Sequence, residues 1–384
     1  MAYTGENKMK KNNSACLIIA ASEADANMLY ATRFFVPDPF IFLQINGRKI
    51  VIMSDLEVDR AKSQARVDEV LSFTKLSEKL KAKGKKNPSS IDILDSILKE
   101  QGIQKIEVPG NFPIEYADKI RERGYQLQAK SEPFFEERTV KTKEEIEEIK
   151  KTQRCTEEAV AEAVKVIRES EIKDSFLYYR GGKLTSEAIK RIINVELMKR
   201  DCVASHTIVA PGTQGCDPHN EGSGPLLANQ SIIMDVFPHS MSTHYYADMT
   251  RTVVRGKAPD KLKRMFAAVL EGQEIAFSRI REGADGNEIH QAIMKRFDDL
   301  GFKTGEMNGR MQGFFHGTGH GLGLNVHESP SISTRKDILK AGQVVTNEPG
   351  LYYLDAGGIR IEDLVVVTKT GCENLTKFPK QLEI

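Results

Sequence analysis

Strand-like and helix-like segments alternate through the first third of the chain. The apolar run over residues 15–21 predicts a first strand. Two apolar runs within residues 40–53 flank Asn46-Gly47, a pair that strongly favours a β-hairpin. The next predicted elements alternate between helix and strand and cover residues 89–101, 103–108, 114–123 and 125–129. This order predicts an α/β domain with a central sheet.

Longer helical patterns occupy the middle of the chain. Thr142 and Glu145 have the spacing of a capping box and open a helix whose apolar positions recur as far as Ile167. Three further helical patterns, the last preceded by a second capping-box spacing at Asp285, cover residues 185–200, 259–280 and 289–300. From residue 310 onward the pattern is mostly β. We place a domain boundary before the long helix, which divides the chain into residues 1–140 and 141–384.

Composition and charge are those of an ordinary globular protein. The 384 residues are 40% hydrophobic and 28% charged, with a net charge of +1. No global field therefore favours nucleic acid or an acidic membrane surface. The basic run 79–86 has no interleaved aromatic residues, so we interpret it as a solvated helix end.

The cysteines and the N-terminal segment indicate the cellular compartment of the protein. Its five cysteines are scattered without a Cys-x-x-Cys pair, which is typical of free thiols in a reducing compartment. The first apolar run follows lysines but is too short to span a bilayer, and no small-residue cleavage signature accompanies it. We expect a cytoplasmic protein without nucleic-acid or membrane partners.

Three of the eight histidines lie within the sixteen residues 315–330, interleaved with four glycines. Glycines let the backbone pass close to another group, and unpaired imidazoles are costly to bury in a purely structural loop. The stretch therefore predicts a site for an ion or a substrate. The histidines are His316, His320 and His327.

Four carboxylates occur in or beside apolar, strand-like runs, namely Asp235, Asp248, Glu348 and Glu362. Such groups are seldom buried unless they are paired or bind metal. Two carboxylates about 4 Å apart repel by roughly 4 kcal/mol at an effective dielectric near 20. Two divalent cations would neutralise all four, and His320 would complete an oxygen-rich shell. That donor set suits Mn(II), Co(II) or Fe(II), with Zn(II) possible.

At these residues the chain resembles the pita-bread metallopeptidases, which include methionine aminopeptidase, aminopeptidase P and prolidase. The resemblance covers residues 143–384 closely and the N-terminal third more loosely. It implies an α/β (α+β) protein with a C-terminal pita-bread domain of two similar halves and an N-terminal creatinase-type α/β domain. That N-terminal domain favours the Xaa-Pro peptidase branch, acting on dipeptides or longer peptides. The matching phrases are Asp248-Met-Thr-Arg-Thr, His316-Gly-Thr-Gly-His320-Gly-Leu-Gly-Leu-Asn-Val-His327-Glu, Asn347-Glu348-Pro-Gly and Gly358-Ile-Arg-Ile-Glu362-Asp.

The resemblance also implies a role for each site residue. The ligands of a dinuclear centre, most commonly Mn(II), are Asp235, Asp248, His320, Glu348 and Glu362. Asp248 and Glu362 would bridge the two ions, and Glu348 would also take a proton from the attacking water. His219 and His327 would contact the substrate near the scissile carbonyl, His316 would line a proline pocket, and Arg360 would orient Glu362 or the substrate. We expect a homodimer or a higher homo-oligomer.

Three departures from the family pattern concern the site. The spacing from Asp235 to Asp248 is two residues longer than usual, which predicts a longer turn with both ligands retained. Phe237 replaces a small residue, and Asn325 replaces a common Asp.

The remaining four histidines match no motif, so we interpret them as ordinary residues. They are His206, His239, His244 and His290.

The resemblance allows two alternatives to the peptidase hypothesis. One is a metal-free pita-bread protein with a binding or regulatory role, and the other is a creatinase-like amidinohydrolase, which uses no metal. The complete set of carboxylates argues against both. The sequence leaves open the choice between a dipeptidase and an aminopeptidase.

Overall fold

The structure is a computed structural model that describes residues 14–384. Residues 1–13, which carry the N-terminal lysines and begin the predicted first domain, lie outside the described residues. The chain divides into two compact units, Met1–Glu136 and Glu137–Ile384.

The N-terminal unit contains one six-stranded sheet with strand order β4-β3-β2-β1-β5-β6. Strands β1, β2 and β3 pair antiparallel, while the outer pairings β3–β4, β1–β5 and β5–β6 are parallel. The strands are β1 (Ser14–Ala20), β2 (Phe40–Ile45), β3 (Arg48–Met53), β4 (Glu69–Ser72), β5 (Lys105–Pro109) and β6 (Gln126–Lys130). The helices are α1 (Ala26–Thr32), α2 (Val58–Gln64), α3 (Phe73–Ala82), α4 (Ser90–Glu100) and α5 (Ile114–Glu122).

The predicted hairpin is confirmed between β2 and β3. Asn46 and Gly47 both have left-handed backbone angles, with φ of 51° and 81°, as a two-residue hairpin turn of this type requires. Both faces of the sheet are buried: Leu17 of β1 packs with Leu94 of α4, whereas the next residue, Ile18, packs with Met28 of α1.

The C-terminal unit has four long helices, and each begins where the sequence pattern places it to within a residue or a few. They are α6 (Lys143–Glu169), α7 (Ser186–Met198), α8 (Asp260–Arg279) and α9 (Gly286–Asp299). The capping box of Thr142 and Glu145 is confirmed at α6. At α9 the Asp285 side chain accepts the backbone N–H of Asn287, so it caps the helix without the predicted partner Glu288.

The strands of this unit form several short sheets, and two carry the site. One has the order β11-β12-β14, and the other has the order β18-β17-β19-β22-β23. The strands are β7 (Glu171–Lys173), β8 (Phe176–Tyr179), β9 (Gly182–Lys183), β10 (Cys202–Val203), β11 (Ile208–Pro211), β12 (Ile232–Val236), β13 (His239–Ser240), β14 (Met249–Val253), β15 (Gly305–Met307), β16 (Arg310–Gln312), β17 (Gly319–Gly321), β18 (Glu328–Ile332), β19 (Val344–Asn347), β20 (Gly350–Tyr353), β21 (Gly357–Arg360), β22 (Asp363–Val367) and β23 (Cys372–Asn374).

Each half of the C-terminal unit buries an apolar strand face under a helix pair. Side chains of α6 and α7 pack against Met234 and Val236 of β12, and side chains of α8 and α9 pack against Val345 of β19 and Ile359 of β21. Because successive side chains of a strand point to opposite faces, the alternate residues of these strands face away from the helices. Among those residues is Asp235, which lies between Met234 and Val236.

The five cysteines are free thiols, as predicted. Within residues 14–384, every helix is too short or too polar to cross a bilayer.

Candidate metal centre

The first two predicted ligands lie on neighbouring antiparallel strands. Asp235 lies in β12 opposite Thr250 of β14, and Asp248 directly precedes β14. The turn between them contains β13 and keeps both carboxylates at the same end of the strand pair. Asp235 is 9% exposed and Asp248 is 4% exposed, so both carboxylates are buried.

The other three predicted ligands come from the second half of the unit. His320 lies in β17, Glu348 directly follows β19, and Glu362 lies between β21 and β22. The Nε2 atom of His320 is 3.2 Å from Oε1 of Glu348 and 3.8 Å from Oδ2 of Asp248. Candidate ligand atoms of Asp248, His320 and Glu362 all lie within 4.8 Å of one another. The fold therefore brings together residues that are separated by more than a hundred positions along the chain.

Hydroxyl groups orient two of these carboxylates. The Thr346 hydroxyl accepts the backbone N–H of His320 at 3.0 Å and donates to Oε1 of Glu348 at 3.1 Å. The Thr250 hydroxyl donates to Oε2 of Glu362 at 2.8 Å. Glu348 is thus held by a residue of β19, the strand that it follows, and Glu362 by a residue of β14.

Two carboxylate oxygens of the cluster are buried and have no hydrogen-bond partner among residues 14–384, namely Oδ1 of Asp235 and Oδ1 of Asp248. A buried oxygen that lacks a donor costs about 1–3 kcal/mol, and more when it is charged. Carboxylate oxygens with one imidazole nitrogen are a donor set that divalent Mn, Fe, Co or Zn accepts. The residues present therefore fit a divalent metal centre.

The pKa values of the cluster reflect its excess of negative charge. Burial raises the pKa values of Asp248 and Glu362 well above their usual range, and the neighbouring carboxylates raise them further. Burial acts to lower the pKa of His320, but the hydrogen bond to Glu348 and the nearby carboxylates outweigh it and raise that pKa to about 9. Burial acts to raise the pKa of Glu348, but His320 brings it down to about 2. Cations at this place would relieve the same excess of charge.

Arg360 has a different carboxylate partner from the one that the sequence suggests. Its Nη2 donates to Oδ2 of Asp235 at 2.7 Å, and its Nε donates to the Thr250 hydroxyl at 3.2 Å. Among residues 14–384, Thr250 links Arg360 to Glu362, because its hydroxyl accepts from Arg360 and donates to Glu362. The reason is the strand arrangement, which places β21 beside the strand pair that carries Asp235.

A buried tyrosine, which the sequence analysis missed, connects Arg360 to His316. Nη1 of Arg360 donates to the Tyr352 hydroxyl at 3.0 Å, and that oxygen is 2.8 Å from Nε2 of His316. Nδ1 of His316 is 2.8 Å from the carbonyl oxygen of Gly317, which can only accept, so Nδ1 carries the proton and Nε2 accepts from Tyr352. Burial lowers the pKa of His316 to about 4, so its imidazole is neutral at physiological pH. The available signal was Tyr352 itself, a polar-tipped side chain in an apolar strand just after Glu348.

One pocket of about 840 Å³ contains all the predicted site residues. His219 and His327 are exposed and lie at its lining, and the ring of His327 meets that of His320 edge-to-face at 4.4 Å between centroids. Burial and the neighbouring His320 lower the pKa of His327. Phe237 also lines the pocket, so this departure from the family pattern lies at the site itself.

The histidines that match no motif differ in position. His206 lines the pocket, and its Nδ1 lies 2.7 Å from Oε1 of Glu221. His239 and His244 stack on each other in the turn before Asp248, and His290 lies 3.0 Å from the Thr318 hydroxyl. The pocket lining includes none of the last three.

Comparison with known proteins identifies the family. The model of metallopeptidase family M24 matches residues 147–369, more than half of the chain. The chain belongs to metallopeptidase family M24. Membership confirms the predicted metallopeptidase class, and the family implies that divalent metal ions are bound.

Relatives of this M24 chain extend the similarity over nearly its whole length. A Xaa-Pro dipeptidase of Pyrococcus horikoshii is 27% identical over 345 residues, covering 89% of this chain and 88% of the relative. The crystal structure of an X-Pro aminopeptidase from Thermotoga maritima is 26% identical, with a TM-score of 0.79 and 97% of each chain covered. A Xaa-Pro dipeptidase from Bacillus anthracis is 25% identical, with a TM-score of 0.81 and coverage of 96% and 95%. The predicted α/β class with a pita-bread catalytic fold is therefore confirmed.

Proposed function

We propose that this M24 enzyme is a dinuclear metal-dependent Xaa-Pro peptidase, which hydrolyses the bond between an N-terminal residue and proline in dipeptides or longer peptides. The observation that carries the metal dependence is the meeting of buried carboxylate oxygens, two of them without hydrogen-bond partners among the described residues, around His320. The preference for proline is supported by the Xaa-Pro peptidases to which the chain is similar over about nine-tenths of its length or more.

The proposed metal ligands are Asp235, Asp248, His320, Glu348 and Glu362, and the proposed ions are two Mn(II), with Co(II), Fe(II) or Zn(II) as substitutes. When bound, such ions polarise a carbonyl group and lower the pKa of a coordinated water. The oxygen-rich donor set supports Mn(II) over metals that prefer thiolates. Arg360 would orient Asp235 through its 2.7 Å hydrogen bond.

Glu348 is proposed to move the proton. Oε1 of Glu348 lies 3.2 Å from Nε2 of His320 in the cluster, and the carboxylate would accept a proton from the attacking water. The Thr346 hydroxyl fixes Oε1 of Glu348 at 3.1 Å, which holds the base in one orientation. The same carboxyl group would then return the proton to the leaving nitrogen of proline.

The histidines are proposed to bind the substrate. His219 and His327 line the pocket and would donate N–H hydrogen bonds where negative charge develops on the scissile carbonyl oxygen. His316, kept neutral by burial and hydrogen-bonded to Tyr352, would line the pocket for the proline ring together with Phe237.

Three further proposals concern the whole chain. Residues 1–140 would be a creatinase-type domain and residues 141–384 the catalytic domain, which is supported by the division of the chain after Glu136. The enzyme would act in the cytoplasm, a proposal that its free thiols support. It would assemble as a homodimer or a higher homo-oligomer, which sedimentation of the purified protein would test.

The proposed function is tested by an assay of the Mn(II)-reconstituted enzyme on Ala-Pro, on a longer Ala-Pro peptide and on Met-Ala. Cleavage of either Ala-Pro substrate, lost after exhaustive chelation and regained with Mn(II), is the expected result. Full activity in the metal-free protein, or cleavage of Met-Ala alone, would reject the proposal.

A further inference from the structure

A buried cluster of three charged side chains lies directly beside His327. Oε2 of Glu328 accepts from Nη2 of Arg138 at 2.7 Å, and Oε1 of Glu328 contacts Nζ of Lys141. The three side chains are only 9%, 6% and 2% exposed, respectively. Buried ion clusters are costly to desolvate and give no general gain in stability, so this one calls for a specific role.

The position of His327 depends on its backbone. Within residues 14–384 its imidazole makes no hydrogen bond, and its ring meets His320 edge-to-face. The next residue, Glu328, is the first residue of β18 and pairs with Gly321 of β17. The charged cluster therefore holds Glu328, the residue next to His327. The His327 imidazole itself makes no hydrogen bond among the described residues, so its position depends on this neighbouring backbone.

The same carboxylate also limits the turn that precedes His327. A Cβ atom on Gly323 would lie 2.5 Å from Oε1 of Glu328 and 3.0 Å from Cε of Lys141, so a side chain there would have to displace the carboxylate. The carbonyl oxygen of Gly323 accepts the N–H of Tyr246 at 2.9 Å, in the segment that leads to Asp248. Glu328 thus contacts both the start and the end of the turn that presents His327.

We propose that Glu328, held by Arg138 and Lys141, is a positioning residue that fixes the His327 imidazole at the lining of the pocket. The proposal rests on the peptidase function proposed for that pocket. Replacing the carboxylate by a neutral amide keeps its shape but leaves Arg138 and Lys141 buried without this counter-charge. The turn then loses the ion pairs that hold its end in place, and the His327 imidazole moves away from the substrate carbonyl.

The decisive variants are Glu328→Gln, His327→Ala and the double variant, each assayed with Mn(II) on an Ala-Pro substrate. We expect Glu328→Gln to lower kcat at least tenfold, to change KM less, and to retain the bound metal. In the His327→Ala background it should lower kcat less than twofold further, because no imidazole remains to be positioned. A merely structural role predicts instead that the two losses multiply.

Two additional variants distinguish the proposed positioning role from a general loss of stability. Ile193→Ala opens a cavity in the core under α7, away from the pocket lining, and should lower Tm while leaving kcat per folded enzyme unchanged. Gly323→Ala keeps all three charges but displaces the Glu328 carboxylate, so it should reproduce the kcat loss of Glu328→Gln even if that variant folds poorly.

A second readout does not require activity. In NMR spectra of the metal-free protein, the ring signal of His327, assigned by its absence in His327→Ala, should shift or broaden in Glu328→Gln. An unchanged ring signal, or a wild-type kcat in Glu328→Gln of an active enzyme, would overturn the positioning role alone. A wild-type enzyme that cleaves no Xaa-Pro substrate would reject the proposed function, while the NMR comparison would still decide whether Glu328 positions His327.

Discussion

Replacing Asp248 by Asn is expected to stabilise the metal-free protein, although it removes a proposed metal ligand. Asp248 is 4% exposed, and its Oδ1 has no hydrogen-bond partner among the described residues. Burial and the charges of Glu362, Asp235 and Glu348 raise its pKa. Without cations, the neighbouring carboxylates repel the Asp248 carboxylate in the native state, and the substitution removes that charge.

The size of the effect follows from the separation of the charges. Candidate ligand atoms of Asp248 and Glu362 lie within 4.8 Å of each other. Two unit charges about 4.8 Å apart repel by roughly 3.5 kcal/mol at an effective dielectric near 20. Burying an amide without partners costs about 1–3 kcal/mol, so a net gain of about 1–2 kcal/mol is expected at pH 8. For a unit of this size that gain corresponds to a rise in Tm of roughly 2–8 °C.

The assay is thermal unfolding of exhaustively chelated protein, with and without added Mn(II), at pH 8 and pH 5. A raised native pKa means that stability is lost as pH rises, so the gain from Asp248→Asn should shrink towards pH 5, where protonation already neutralises the wild-type group. Added Mn(II) should raise the Tm of the wild type more than that of the variant.

A matched control is Asp363→Asn, because Asp363 is also buried but has cationic partners. Its Oδ1 is 2.8 Å from Nη2 of Arg251, and its Oδ2 is 2.6 Å from Nζ of Lys380. Removing one partner of such a buried pair typically costs about 3–5 kcal/mol, so this variant should be destabilised. If Asp248→Asn lowers the Tm of the chelated protein at pH 8 as the control does, the proposed charge excess at the site is refuted.

Three further predictions concern the metal and the proton. Glu348→Gln should lower kcat by about 10²–10⁴ through loss of the base, with metal content reduced much less; kcat within twofold of wild type would exclude its proton-transfer role. The rise in Tm caused by Mn(II) should increase from pH 5 to pH 8, since the raised pKa values of Asp248 and Glu362 make protons compete with the metal, and a rise independent of pH would contradict this. His327→Ala should lower kcat by about 10² and leave both ions bound, as one lost oxyanion donor does elsewhere; loss of metal, measured by elemental analysis, would make His327 a ligand instead.

Local patterns were sufficient to predict the long elements of the fold. The helix α6 begins at the capping box of Thr142 and Glu145, and the hairpin of β2 and β3 turns at Asn46-Gly47. In both cases the signal lies within a few residues, so it does not depend on distant parts of the chain. Strand β4 was not predicted, because its residues are only half-buried and its pairing with β3 is parallel and non-local.

The candidate site was predicted as a set of residues but not as a network of contacts. The carboxylates and His320 stand out because charged residues are rare in apolar strands. The pairing of Arg360 with Asp235 depends on which strands become neighbours, which local periodicity does not specify. The contact of Lys141 with Glu328 joins residues 187 positions apart, so local patterns could not predict it. Gly323 is the related sequence feature, because a side chain there would clash with both residues.

Metal stoichiometry is the direct test of the proposed dinuclear centre. Equilibrium dialysis of the chelated wild-type protein against Mn(II) at pH 8, followed by elemental analysis, should give two ions per chain, and Asp248→Asn should bind fewer. A wild-type protein that retains no Mn(II) above the level of the dialysis buffer would contradict the proposed metal centre.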